Sequence, residues 1–181
     1  LDLMLKAIQM MRIGNEKRAE AGVNTGNGEA LSELKVSVVM WAQAMAYANM
    51  EAYTNYHWRP DCDVPVTVPC GENLALGRID HAYEGWYDEE KELYDFVQKY
   101  LAEHPGATED EAKQAAKDSG IVSHSNYSYG HYETLLDNGV TATGFGYSMN
   151  NRRGAATQQF GSNTYIVDDG SVYGDFREAH L

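Results

Sequence analysis

Four polar residues stand in apolar or aromatic surroundings. They are His57 in NYHWRPDC, Glu72 in CGENLALG, Glu89 in GWYDEEKEL and His131 in YGHYETLLD. A carboxylate in such surroundings usually shifts its pKa, pairs with a positive group or binds a cation. Neutral imidazole nitrogens and carboxylate oxygens are zinc ligands, and carboxylates also orient ligating histidines or a bound water. If the fold brings these four side chains together, they could surround a divalent cation.

Each of these residues also has an interpretation without a metal. A histidine among aromatic side chains is commonly a hydrogen-bonded core residue. Glu72 could cap a helix, and Glu89 could be one more solvated acid, with a neighbour, Glu90, of the same chemistry. The other histidines have different expectations. His81, His104 and His180 are expected at the surface. His124 is a weaker candidate for the rim of a site.

Other chemistries have less support in the sequence. GFGYS lacks the lysine of a phosphate-binding loop, and no G-x-S-x-G motif is present. Ser125 and Ser128 lie near His131 in the chain, but nearness in sequence is poor evidence for a nucleophile and its base. Paired carboxylates are also compatible with glycoside hydrolysis, and the sequence leaves that alternative open.

The composition is that of an ordinary globular chain. It has 181 residues, of which 43% are hydrophobic and 23% charged, and its net charge is −13. This charge disfavours nucleic acid and anionic membrane surfaces as partners, because both are bound by clustered Lys and Arg. No run approaches the roughly 18 apolar residues of a membrane-spanning helix. We therefore expect neither a nucleic-acid partner nor a membrane span in this segment.

The two cysteines, Cys62 and Cys70, are separated by seven residues, a spacing that matches none of the usual zinc motifs. In an exported protein this pair would form a disulfide closing one loop. In a cytosolic protein it would remain two thiols.

Local signals predict four helices in the first two thirds of the chain. One ends at Gly22, a second begins near Ser37, and a third covers residues 79–100. The second is expected to bury the side that carries Val38, Trp41, Met45 and Met50. The fourth helix begins with a capping box, T-x-x-E at residues 108–111, and is so polar that residues 103–122 are expected to form a surface insertion.

The last third changes period. GVTATGFGYSMN and ATQQFGSNTYIVDDG alternate in polarity and are rich in Thr, Tyr, Val and Phe. They predict two antiparallel strands joined through NNRRGA. Helices followed by strands, without βαβ alternation, indicate an α+β fold.

The order of the motifs resembles that of the CAP superfamily, the cysteine-rich secretory, antigen 5 and pathogenesis-related-1 proteins, whose domain is also called SCP. NEKRAEAG resembles the family's Asn-x-x-Arg region, and LKVSVVMWAQAMAYAN its second helix. GENLALG resembles its Gly-Glu-Asn-Leu/Ile signature, GWYDEEKELYDF its Trp-x-x-Glu helix, GHYETLLD its Gly-His-Tyr motif and TGFG the following strand. NYHWRPD is most similar to the bacterial branch, where His-x-Arg-Pro-Asp replaces the eukaryotic His-Ser.

This resemblance implies one domain over residues 1–181, folded as a three-layer α-β-α sandwich with a central antiparallel sheet. It also implies a cleft with a His-Glu-Glu-His cluster, here His57, Glu72, Glu89 and His131. In some relatives the two histidines bind zinc or another divalent ion, and the glutamates orient them or a water. Family members are mostly secreted or surface-attached, which supports a disulfide between the two cysteines.

Three functions are compatible with this resemblance. The first is an extracellular or cell-surface module whose cleft binds a divalent metal, a small apolar ligand, a peptide or a host or cell-surface partner. The second is a metal-assisted hydrolase of peptides or glycans, in which zinc activates water and Glu72 or Glu89 is the general base. The third is a structural surface domain whose polar cluster only ties helices to the sheet.

Overall fold

A computed structural model describes residues 2–57, 71–121, 128–150 and 153–162. The helices are α1 (Asp2–Ala21), α2 (Val38–Thr54), α3 (Glu90–Glu103), α4 (Glu109–Asp118) and α5 (Gly130–Leu135), with a 3₁₀ turn at Ile79–His81 and a π-helical turn at Glu84–Glu89. The strands are β1 (Lys35–Val36), β2 (Gly71–Leu76), β3 (Ala142–Met149) and β4 (Gly154–Gly161). Cys62, Cys70, His124, Ser125 and His180, which entered the sequence interpretation, lie outside the described residues.

The predicted end of α1 and the predicted starts of α2 and α4 are confirmed, whereas the single helix predicted over residues 79–100 is divided into a 3₁₀ turn, a π-helical turn and α3, which starts only at Glu90. The Ser37 side chain caps α2, and the side chains and backbones of Thr108 and Glu111 bond reciprocally at the start of α4. Gly22 and Gly120 have positive φ after α1 and α4, a conformation that glycine adopts without steric cost. The described part of the chain contains no helix long and apolar enough to cross a bilayer.

The four strands form one sheet in the order β1-β3-β4-β2. β3 and β4 are the predicted antiparallel pair, in register from Ala142↔Gly161 to Met149↔Gly154. β2 was not predicted as a strand; it pairs antiparallel with β4, whereas the two-residue β1 joins β3 in parallel. The sheet is therefore antiparallel over its three longer strands, and β2 lies at an edge of the described sheet.

α2 packs across one face of the sheet at unusually close range. A Cβ added to Gly144 would overlap the backbone of Trp41, and one added to Gly146 would overlap the backbone of Ala44. The buried side of α2 is accordingly the one with Met40, Ala44 and Ala48. The predicted side was wrong, because contact with two strand glycines requires small residues, while Val38 and Met50 are exposed.

The opposite face of the sheet carries the aromatic core. The Phe145 ring lies 6.4 Å from that of Tyr83 and 6.0 Å from that of Trp86. α1 reaches the same layer, since Gly14 packs against the Tyr83 phenol. With α2 on one face and α1, α3 and α5 on the other, the chain is an α+β protein with three α-β-α layers.

The NEKRAEAG segment of α1 joins distant loops through buried hydrogen bonds. Asn15 exchanges bonds of 3.0 and 2.9 Å with the backbone of Leu34. The fully buried Arg18 donates to the carbonyls of Ser32, Leu135 and Asp137. Burial lowers the pKa of Arg18 to about 10. These bonds hold the end of α5 against α1.

Candidate metal centre at the edge strand

The edge strand β2 places consecutive polar residues on opposite faces of the sheet, because side chains alternate along a strand. Glu72 faces the α2 layer and is paired with Gln159 of β4. Asn73 faces the other helical layer and donates from Nδ2 to the carbonyl of His131 at 3.0 Å. Glu72 and His131 therefore lie on opposite faces of β2, with His131 joined to the strand through Asn73, and a single cluster of His57, Glu72, Glu89 and His131 stays a prediction.

On the α2 side, Glu72 holds His57. The distance between His57 Nδ1 and Glu72 Oε1 is 2.5 Å, and the carboxylate side chain is only 1% exposed, against 49% for the imidazole. The second oxygen of Glu72 accepts from Gln159 Nε2. A buried carboxylate fixed on both oxygens has a defined orientation, which is what a metal ligand or an orienting group needs.

A third residue, Glu51 of α2, completes this group. Its side chain is fully buried and accepts from the hydroxyl of Thr157 on β4. Ligand atoms of Glu51, His57 and Glu72 all lie within 4.8 Å of one another. We refer to these three residues as the Glu-His-Glu group.

The end of α2 brings His57 to this group. Asn55 caps the helix in the left-handed conformation, with φ of 67° and ψ of 20°, and donates its N–H to the carbonyl of Glu51. Asparagine is one of the few residues that adopts this conformation readily. Because the chain turns there, residue 57 lies near residue 51.

On the other face of β2, His131 has its own glutamate. His131 Nδ1 lies 2.5 Å from Glu90 Oε1, and the other oxygen of Glu90 accepts from the Tyr132 N–H at 2.9 Å. The His131 ring also lies 6.2 Å from the Trp86 ring. In both pairs an imidazole Nδ1 thus lies against a carboxylate oxygen, which restricts rotation of the ring.

The glutamate on His131 is the neighbour of the one predicted. Glu89 closes the π-helical turn and is exposed, whereas the Glu90 side chain is 11% exposed. A π-helical turn takes one more residue per hydrogen-bonded ring than an α-helix. This extra residue explains why Glu90, four positions after Trp86, faces His131, while Glu89, three positions after Trp86, does not.

α4 anchors the start of α5. Lys113 Nζ lies 4.6 Å above the ring of Tyr129, the residue that precedes α5, and 2.5 Å from Glu109. Burial, and next the hydrogen bond from its phenol to Glu109, raise the pKa of Tyr129. The polar helix predicted as a surface insertion therefore also holds the segment leading to His131. That residues 103–122 are an insertion stays a prediction.

Two buried oxygens beside the predicted site residues have no hydrogen-bond partner among the described residues: Asn73 Oδ1 and Gln159 Oε1. Each belongs to an amide whose nitrogen donates to a pure acceptor, the His131 carbonyl or the Glu72 carboxylate. The assignment of oxygen and nitrogen is therefore chemically required. Gln159 thus has an unused acceptor beside the Glu-His-Glu group, and Asn73 has one beside His131 on the opposite face.

The Glu-His-Glu group fits a divalent cation. Two carboxylates and an imidazole are ordinary ligands of such ions. Ligand atoms in a tetrahedral zinc site are roughly 3.3 Å apart, so donors within 4.8 Å of one another need only small side-chain movements.

Glu51 was missed by sequence analysis. The available signal was a lone acid on the buried side of an otherwise apolar helix. Gln159 was missed because it stands in the alternating ATQQFG segment, where a polar residue is expected on one side of a strand.

Two solved structures align with most of the chain. The venom allergen-like protein 4 of Schistosoma mansoni has 14% identity and a TM-score of 0.48, over 86% of this chain and 85% of its own. A crystal structure of NaASP2 with Zn²⁺ has 13% identity and a TM-score of 0.44, over 89% of this chain and 85% of its own. No protein-family model and no curated protein matches the sequence. At these scores neither alignment assigns this chain a family or a function.

Proposed function

We propose that the protein is a CAP-like binding module, acting outside the cell or at the cell surface, that holds a divalent cation at its edge strand. The observation that carries this proposal is the Glu-His-Glu group, whose ligand atoms lie within 4.8 Å of one another. Two buried carboxylates this close repel each other, and a cation between them offsets that repulsion. The net charge of −13 favours the approach of cations.

The relative positions of three sequence motifs support the CAP-like assignment. GEN lies on β2, GHY opens α5, and the Trp-containing motif forms the π-helical turn before α3. The first two are in direct contact through Asn73 and His131, and the third contributes Trp86 and Glu90 to the surroundings of His131. Three short motifs far apart in the chain thus lie at one edge of the sheet, which supports the CAP-like assignment.

In this proposal the cation is a structural or recognition element. The predicted small apolar ligand, peptide or cell-surface partner would bind beside it. The extracellular location rests on the resemblance, and the Cys62–Cys70 disulfide is expected only if that location is right. Mass spectrometry of the unreduced protein tests that disulfide directly.

Calorimetric titration of metal-free protein with Zn²⁺ tests the cation site. We expect one ion per chain and a loss of affinity of at least ~10-fold in His57→Ala and in Glu72→Gln, because each substitution removes a ligand or its orienting partner. His104→Ala is the matched control, since this exposed histidine lies far along the chain at the end of α3. Its affinity should equal that of the unmodified protein.

Two outcomes would contradict the proposal. Unmodified protein that takes up no divalent ion, or a His57→Ala variant with unchanged affinity, would remove the cation from the function. If the variants lose only stability, the polar cluster is structural, as in the third hypothesis drawn from the sequence.

A further inference from the structure

The amide of Gln159 is the strongest unexplained group beside the candidate centre. The residue is fully buried, and its Nε2 donates to Glu72 Oε2. Its Oε1, two bonds from that nitrogen, has no hydrogen-bond partner among the described residues. A buried carbonyl oxygen without a partner destabilises the fold, so a native structure that retains one normally satisfies it with a bound water or ion.

The surroundings of Gln159 Oε1 indicate what that species is. The amide head lies against Glu72, and the neighbouring side chains Glu51 and His57 present further acceptor atoms within 4.8 Å of those of Glu72. A group that already contains two carboxylates has no need of a further neutral acceptor for hydrogen bonding. A cation, by contrast, uses carboxylate and carbonyl oxygens together.

On this basis we infer that Gln159 is a fourth ligand of the cation through Oε1, which makes the centre oxygen-rich, with three oxygen donors and one nitrogen. This inference rests on the proposed function. Such a site suits divalent cations that take carboxylate and carbonyl oxygens as ligands and that bind more than four ligands. Mn²⁺ is the most convenient probe of this class.

The alternative role for Gln159 is positioning. Its Nε2 would then only orient Glu72, and Oε1 would bind a water. The substitution Gln159→Glu separates the two roles. A glutamate supplies a charged oxygen where a ligand is needed, but it cannot donate a hydrogen bond to Glu72 and would repel it in the absence of an ion.

The experiment is titration of metal-free Gln159→Glu with Mn²⁺, followed by the electron paramagnetic resonance signal of the free ion. The ligand role predicts an affinity at least ~10-fold higher than that of unmodified protein, together with a larger rise of Tm on adding Mn²⁺. Lower or unchanged affinity would overturn the inference. Variants are compared with one ion because Zn²⁺ exceeds Mn²⁺ in affinity at most sites.

Asn73→Asp is the matched control on the opposite face. Asn73 also has a buried amide oxygen without a partner among the described residues, but it lies beside His131 and away from the Glu-His-Glu group. We expect no gain of Mn²⁺ affinity in this variant. A gain in Asn73→Asp without one in Gln159→Glu would place the ion on the His131 side and overturn the inference.

A second measurement needs no variant at Gln159. In unmodified protein, coordination by Oε1 shifts the side-chain ¹³Cδ resonance of Gln159 on saturation with Zn²⁺, whereas an unchanged resonance overturns the inference even if the glutamate variant does not fold. Failure of the proposed function has a different signature. In that case unmodified protein binds neither Zn²⁺ nor Mn²⁺.

Discussion

At the scale of single residues, His57 of the Glu-His-Glu group and His131 on the opposite face are held in the same way. A glutamate lies 2.5 Å from each Nδ1, and each glutamate uses its second oxygen for another bond, to Gln159 or to the Tyr132 backbone. Charge-assisted hydrogen bonds of this kind are stronger than neutral ones and restrict ring rotation. The site is therefore preorganised by its carboxylates.

Replacing Glu90 should cost more than replacing its neighbour. We expect Glu90→Ala to lower the free energy of unfolding by about 1–3 kcal/mol, because it leaves the Tyr132 N–H and His131 Nδ1 without their acceptor. Glu89→Ala removes an exposed side chain and should cost less than Glu90→Ala. Chemical denaturation measures both. If the two variants lost the same free energy of unfolding, Glu89 would again be a candidate for the second glutamate of the predicted cluster.

Residue types and flanking sequence singled out His57, Glu72 and His131 as candidates, and their role in a site stays a prediction. They could not decide between Glu89 and Glu90, because both follow Trp86 at helical spacing. Only the π-helical turn separates the two acids, and a turn of that kind has no simple sequence signal.

At the scale of elements, the contact between α2 and the sheet positions the Glu-His-Glu group. Gly144 and Gly146 let the helix backbone approach β3 closely. Glu51 near the end of the same helix then reaches Thr157 of β4. A helix held further away would leave Glu51 short of the sheet.

Adding one methyl group to this contact tests its importance. Gly146→Ala should lower stability by about 1–3 kcal/mol or more, because the new Cβ overlaps the backbone of α2 and cannot be accommodated by rotating a side chain. Metal affinity should fall with it as Glu51 moves. The matched control is Gly85→Ala in the π-helical turn, where an added Cβ meets nothing within 4 Å.

For that control, stability should be unchanged or slightly higher, since alanine restricts the unfolded chain. Thermal unfolding of the two variants provides the comparison. A tolerated alanine at residue 146 would show that α2 can shift without loss, and that the close contact with β3 does not position Glu51.

At the scale of the whole molecule, buried tyrosines make stability sensitive to alkali. In six tyrosines the pKa is raised above the ordinary value of 10.0, and burial is the largest cause in each: Tyr83, Tyr87, Tyr94, Tyr129, Tyr132 and Tyr147. For Tyr132 the pKa is raised to about 12. Unfolded phenols ionise near pH 10.0, while the folded ones stay neutral. Their contribution to stability is therefore complete below that pH and is lost as the pH rises above it.

Tyr87→Phe should reduce this loss without harm at neutral pH. The Tyr87 hydroxyl is buried without a hydrogen-bond partner among the described residues, so its removal should leave stability at pH 7 unchanged or raise it by up to about 1 kcal/mol. Denaturant titrations between about pH 9 and pH 11 should show a shallower decline than in the unmodified protein. A decline of the same steepness would mean that this phenol ionises equally in both states.

The sequence by itself determined the features that depend on neighbouring residues. Ser37, the Thr108–Glu111 box and the stop at Gly22 are local signals, because caps and turns involve positions only a few residues apart. Alternation likewise identified β3 and β4, and together these elements indicated the α+β class.

The tertiary structure alone decided which side chains meet. β2 was not recognised as a strand, yet its register with β4 places Glu72 opposite Gln159, 87 residues away in the chain. Thr157 reaches Glu51 over 106 residues. A slip of one residue in that register would send Glu72 to the other face of the sheet. Such a register is set by long-range packing, and so Glu51 and Gln159 became visible only in the folded chain.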